Sequence, residues 1–164
     1  MSNALVPVNT SEKSSELTQL VTFNLDHEEY GVDVLGVREI IRMPVITRIP
    51  NTPPYVEGVI NLRGKVIPII SMRSRFTLEN AEYNSRTRIM VMDVDGELMG
   101  FVVDAVSEVI RISASEIQPS PPVASGNIEQ ECIAGVINHG ERLLVVLELE
   151  RMFSHEEKQL LSGM

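Results

Sequence analysis

The sequence predicts an all-β fold of two related halves packed together, ending in a short C-terminal helix. Three observations carry that expectation. Short runs rich in Val and Ile, such as Val66-Ile67 and Ile69-Ile70, are bounded by Gly, Asn and Asp at turn positions. The chain also repeats itself. GVINLRGKVIPIISMRSRF at 58–76 and GVINHGERLLVVLELERMF at 135–153 both open on Gly-Val-Ile-Asn and close on Phe, while YGVDVLGVREIIRM at 30–43 matches MGFVVDAVSEVIRI at 99–112. The offsets are 77 and 69 residues, so the second copy holds eight extra residues within 113–134. Finally, the helical signal is confined to short pieces, the clearest being the capping box Ser154-His-Glu-Glu157 followed by Lys158 to Leu161.

Residues 1–16 are polar and without period, and read as a disordered leader ahead of a domain at 17–161. Val21, Phe23 and Leu25 share one parity, which makes the first strand, and the charged run Asp26 to Glu29 turns it into a second at Tyr30 to Val34. A tight corner at Leu35-Gly36 leads to a third strand through Val37, Ile40 and Ile41, whose β-branching disfavours helix. Pro44, Pro50, Pro53 and Pro54 stiffen the connection into the repeated hairpin. There Asn61-Leu62-Arg63-Gly64 is the turn, with Gly64 free to take positive φ. Pro68 lacks a ladder donor, which predicts an edge strand or a bulge.

Residues 74–85 read as a polar crossover between halves near 18–80 and 86–153. Thr87 to Val94 and Met99 to Val103 are paired strands around Asp95-Gly96. Ser113 to Glu116 can start a helical turn, the proline-rich stretch after it reads as a long mobile loop, and Gly135 to Leu149 is the second hairpin.

Apolar residues make up 43% of the 164, enough for a real core, but there is no Trp and aromatics are only 4%, so aliphatic residues and Met must fill it. A net charge of −9 argues against nucleic acid and anionic membrane as partners. Cys132 is the single cysteine, which excludes an internal disulfide and favours a reducing, cytoplasmic setting.

Catalytic chemistry is thin. His27, His139 and His155 have no metal-ligand spacing, no phosphate-binding glycine motif occurs, and no cofactor is expected. The Cys132–His139 pair has the right residue types for a nucleophile and base, and Asp93 with Asp95 for a carboxylate pair, yet lone buried cysteines and turn aspartates are commonly structural. A rigid β scaffold with few functional groups has the profile of a binding module.

The segments GVINLRGKVIPIISMRSRF, EEYGVDVLGVREI, ITRIPNTPPYVEG and GFVVDAVSEVIRI resemble CheW-type chemotaxis coupling proteins, whose signature is close to G-V-x-N-L-R-G-x-V-x-P-V-I-D-L-R. The resemblance runs from about Leu17 to Leu161. It implies two SH3-like five-stranded β-barrels and a non-enzymatic cytoplasmic adaptor joining chemoreceptor tips to the histidine kinase CheA, through the regulatory domain that shares this fold. Carried over by motif, Asn61, Leu62, Arg63 and Gly64 form the family's turn; Val34, Val37 and Glu39 line the receptor groove; Gly100, Val103 and Val106 match in the second half. Ser71 stands where the family usually has Asp and Met72 where it has Leu, which withdraws a carboxylate from Arg73 or a neighbouring arginine. Two alternatives stand beside this reading: a coupling protein of a non-flagellar chemosensory array, and a small hydrolase or ligand-binding barrel using Cys132 or Asp93.

Overall fold

A computed structural model describes residues 17–119 and 131–163. The expected leader, and most of the proline-rich loop after Glu116, lie outside them. Among the described residues ten strands form two five-stranded sheets: β1 (Leu17–Leu25), β2 (Glu28–Asp33), β3 (Val37–Arg42), β4 (Val56–Leu62), β5 (Lys65–Ser71), β6 (Arg88–Val94), β7 (Glu97–Val103), β8 (Ala105–Ser113), β9 (Ile133–His139) and β10 (Arg142–Leu147). The helices α1 (Met72–Arg75) and α2 (His155–Ser162) are short.

The sheet orders are β8-β1-β2-β10-β9 and β3-β6-β7-β5-β4. Counted within each sequence repeat, both orders are third, first, second, fifth, fourth strand. The repeat is therefore structural. Its registers agree residue by residue: Leu20 faces Ile110 as Ile89 faces Ile41, and Gly31 faces Val146 as Gly100 faces Ile69. Both copies also carry the same two bulges, at Arg38 and Ser107 and at Glu57 and Ala134.

The expected partition into barrels at 18–80 and 86–153 needs correction. One barrel takes β1 and β2 from the first repeat and β8 to β10 from the second; the other is built from β3 to β7. Each repeat thus lends its third, fourth and fifth strands to a barrel begun by the other. The physical cause lies at the corners: the 3-10 turn Val34–Gly36, capped by Asp33 accepting from the Leu35 amide at 2.9 Å, redirects the chain out of the first sheet.

Straps close the barrels. Thr47 bridges Val59 in one and Gln118 bridges Val136 in the other. Gly58 and Gly135 sit under these straps; a Cβ on Gly58 would fall onto the Thr47 carbonyl oxygen, and one on Gly135 would lie 2.5 Å from that of Gln118. Thr47 and Gln118 stand 71 apart, so two of the eight extra residues precede that bridge and six follow it.

Pro68 is not at an edge. It pairs with Val59 inside the sheet without a bulge of its own, tolerated because the parallel ladder from β5 to β7 begins one residue later, at Ile69. Each barrel has a small aliphatic core: Ile60, Ile67, Ile69 and Ile89 in one, and Ile137, Leu144, Val146 and Leu20 at the same repeat positions in the other. The largest cluster lies between the barrels and holds Phe23, Phe101, Phe153 and the methionines 72, 90, 92, 99 and 152. Flexible Met side chains fill the irregular space where two convex barrels meet. The terminal helix docks there through Arg75, whose guanidinium lies over Tyr55 and Phe153 and donates to Glu157 and the Met152 carbonyl.

Candidate partner-binding surface

The β4–β5 hairpin closes on a two-residue turn in which both Arg63 (φ 51°) and Gly64 (φ 87°) are left-handed, beyond the positive φ expected for Gly64 alone. Asn61 holds it, its Oδ1 accepting from the Gly64 amide at 2.9 Å. The stiff tip carries the Arg63 guanidinium to Glu39 on β3, in a two-pronged pair at 2.8 and 2.6 Å. The bulge at Arg38 brings this about. It takes one residue out of register, so that Arg38 turns outward to Asp93 at 2.9 Å while Glu39 faces the barrel mouth.

The hydrogen bonds from Arg63 hold the Glu39 carboxyl below the usual carboxylate range, and Glu39 in turn raises the guanidinium. Both charges therefore persist across all ordinary pH. The arginine remains 71% exposed, so its outer edge faces solvent with its orientation already set.

A groove of about 350 Å³ runs between the barrels, past Val32, Leu35, Arg38, Asp93 and Leu149. Val34 and Val37 pack half-buried against the central core at its edge, and Leu35 stands 80% exposed. The structure thus brings Glu39, Asn61, Arg63 and Gly64 together at one barrel mouth and sets Val34 and Val37 by the groove. Leu62 is half-buried inside the barrel, and Val106 half-buried against the central core. Gly100 and Val103 are buried. A Cβ on Gly100 would lie 2.6 Å from Ile69 Cδ1, so this glycine serves close strand packing and Val103 the central core.

Sequence reasoning passed over four exposed apolar residues. Ile40 on β3 and Val66 on β5 have counterparts at the repeat offsets in Val109 on β8 and Leu143 on β10, all at least 40% exposed. Aligning the two copies and marking where both keep an apolar residue on the polar parity would have found Ile40 and Val109; Val66 and Leu143 sit among apolar residues on both parities, and only the structure shows them exposed. The mouth itself is not duplicated: Gly140 takes the place of Arg63, and Glu108, the counterpart of Glu39, meets His139 at 3.5 Å.

A CheW-like domain profile matches residues 19–157. The chain is 37% identical over 155 residues to the chemotaxis protein CheW of Treponema pallidum, covering 92% of this chain and 91% of that one. It is also 37% identical over 145 residues to CheW of Klebsiella aerogenes, covering 88% and 87%. The crystal structure of the scaffolding protein TtCheW from Thermoanaerobacter tengcongensis superposes with a TM-score of 0.77 at 34% identity, over 85% of this chain and 94% of that one.

The chain belongs to the CheW family. CheW proteins are chemotaxis scaffolds, and this chain is accordingly an adaptor and no enzyme. The residues that suggested hydrolysis have structural roles. Cys132 is fully buried in the central cluster, and Asp93 pairs with Arg38 and accepts from the Gly96 amide at 2.8 Å.

The departure from the CheW signature at Ser71 is absorbed locally. Ser71 caps α1, accepting from the Ser74 amide at 3.2 Å, the service an Asp would give there. Arg73 takes its carboxylates from elsewhere, Asp104 at 2.9 and 2.7 Å and Asp26 at 3.0 Å, with a further bond to the Glu79 carbonyl. The ion pair placed in doubt by Ser71 therefore forms with other partners, and it ties α1 to residues at the ends of both barrels. Among the described residues no helix is long and apolar enough to cross a membrane.

Proposed function

We propose that this protein couples the cytoplasmic tips of chemoreceptors to the regulatory domain of the histidine kinase CheA, working in the cytoplasm as a scaffold without chemistry of its own. The observation that carries the reading is the repeated apolar exposure on the two barrels, Ile40 with Val66 and Val109 with Leu143. A scaffold must hold more than one neighbour at once, and a two-barrel molecule with matching outer faces supports end-to-end contact with other barrels of the same fold. Such faces favour modest, reversible burial of roughly 1,200 Å² or less in total. The inter-barrel groove with Leu35, bordered by Val34 and Val37, supports docking of an apolar helical stripe, and the Glu39–Arg63 pair adds a fixed cation for a carboxylate or carbonyl on that helix.

The test is reconstitution. Receptor-containing vesicles, CheA from the same organism and this protein should together show kinase activity well above that of the kinase alone, and the kinase should co-elute with the protein at tens of micromolar. Absence of both would overturn the coupling role. Capture of a kinase from a different chemosensory cluster would assign the protein to that array instead.

A further inference from the structure

Most arginines in this acidic chain find a carboxylate. Arg38, Arg63, Arg73, Arg75, Arg142 and Arg151 each pair with an Asp or Glu. Arg42 and Arg88 do the opposite: they face each other directly across β3 and β6, on the barrel's outer face. Arg42 is exposed and has no ion pair or side-chain hydrogen bond among the described residues. Arg88 spends its Nη1 on two carbonyls, of Ser85 at 2.8 Å and Thr87 at 2.9 Å, which fix the guanidinium without neutralising it. Two residues earlier, Arg86 lines a polar groove of about 600 Å³ whose wall also carries Asp26, Glu82 and Asp104, with none of which it forms an ion pair. Like charges directly opposite on a sheet destabilise it. The other repeat lacks this feature, because Arg111 faces Gln19 at the same register.

We propose that Arg42 and Arg88, flanked by Arg86, form a docking site for an acidic segment of a protein partner, one carrying at least two neighbouring carboxylates. The site is separate from the Glu39–Arg63 mouth and stands independently of the coupling role. Guanidinium forks take carboxylates in two-pronged contact, and here one fork is already held in place by the strand backbone. In a chain of net charge −9, two arginines that face each other without a carboxylate between them form a cationic spot that draws an acidic segment to one place.

The test uses the full chain and a hexaglutamate peptide, followed by NMR of the arginine Hε resonances. Saturable shifts are expected at Arg42, Arg86 and Arg88, weakening with salt. Arg42→Gln and Arg88→Gln should each weaken binding by at least about fivefold, with Arg42→Lys recovering part of it, while Arg111→Gln leaves it unchanged. In the free protein Arg42→Gln should also raise the melting temperature, by roughly 1–3 °C, as relief of like-charge repulsion. The proposal is overturned by an absence of saturable binding, by an equal loss in Arg111→Gln, or by a fall in melting temperature in Arg42→Gln. Tighter binding of hexathymidylate or inorganic phosphate at the same arginines would equally overturn it, by making this a phosphate site.

Discussion

Gly58 and Gly135 occupy the same place in the two barrels, each where a strap carbonyl crosses a β-bulge. At Gly58 the requirement is double, since φ is +148° and a Cβ would fall onto the Thr47 carbonyl oxygen. Gly58→Ala should therefore cost at least about 2 kcal/mol, from backbone strain and forced displacement of the strap together. Gly64→Ala is the control, with φ +87° but open space around it, and should cost only about 1 kcal/mol. Urea midpoints measure both, and equal losses would refute a steric role for the strap.

Arg63→Ala should leave the melting temperature within a few degrees of the wild type, because the Glu39–Arg63 pair is solvent-exposed and screened. Receptor-stimulated kinase activity should nevertheless drop sharply, and Arg63→Lys should restore only part of it, an ammonium having no planar fork. Unfolding of Arg63→Ala, or full coupling by it, would disprove the assignment.

Glu157 ties the terminal helix to the central core, accepting from the Tyr55 hydroxyl at 2.9 Å and from the Ser154 amide at 2.9 Å. Burial pushes its carboxyl up, but the Ser154 amide, the Tyr55 hydroxyl and the Arg75 charge together outweigh burial and leave it below its usual value of 4.5. A lowered carboxyl adds stability that is full above the unfolded value and is lost as pH falls through the folded one. The stability difference between wild type and Glu157→Gln should accordingly be constant near neutrality and shrink below about pH 4.5. A difference that grows on acidification would contradict this. The Tyr55 hydroxyl, pushed up to about 12 mainly by burial, stays protonated as a donor throughout.

Glu29 sits where the other barrel has Leu98, 5% exposed, with an Oε1 that among the described residues has no hydrogen-bond partner, Arg142 standing 3.7 Å away. Glu29→Leu should stabilise the protein, by on the order of 1 kcal/mol, since Arg142 is itself 70% exposed and returns to water at little cost. Denaturant unfolding decides it, a loss of stability being the contrary result.

Much of this protein was legible in its one-dimensional pattern. Strands, turns and the repeat are local features, set by β-branching, by Asn-x-x-Gly and Asp-Gly, and by period-two burial. The capping boxes at Ser113 and Ser154 formed because a box involves only four consecutive residues. Arg63 stood out for the same reason, as a cation on a turn whose shape its neighbours determine.

Tertiary structure decided what depends on distant partners. That the repeats exchange strands could not be read from sequence, because β3 has the same apolar alternation whether it pairs with β1 or with β6. Only the corner at Val34–Gly36 and the shared core between barrels choose the second. The meeting of Glu39 with Arg63 spans 24 residues and comes where the two end strands of the sheet, β3 and β4, close on each other, while Arg73 meets Asp104 across 31 residues because β5 and β7 pair in parallel just before them. Burial made the remaining distinction: Gly100 and Val103 match the family's motif as well as Val34 does, but they lie on opposite faces of β7 and both faces are packed against protein, one inside the barrel and one between the barrels, which the motif alone does not say.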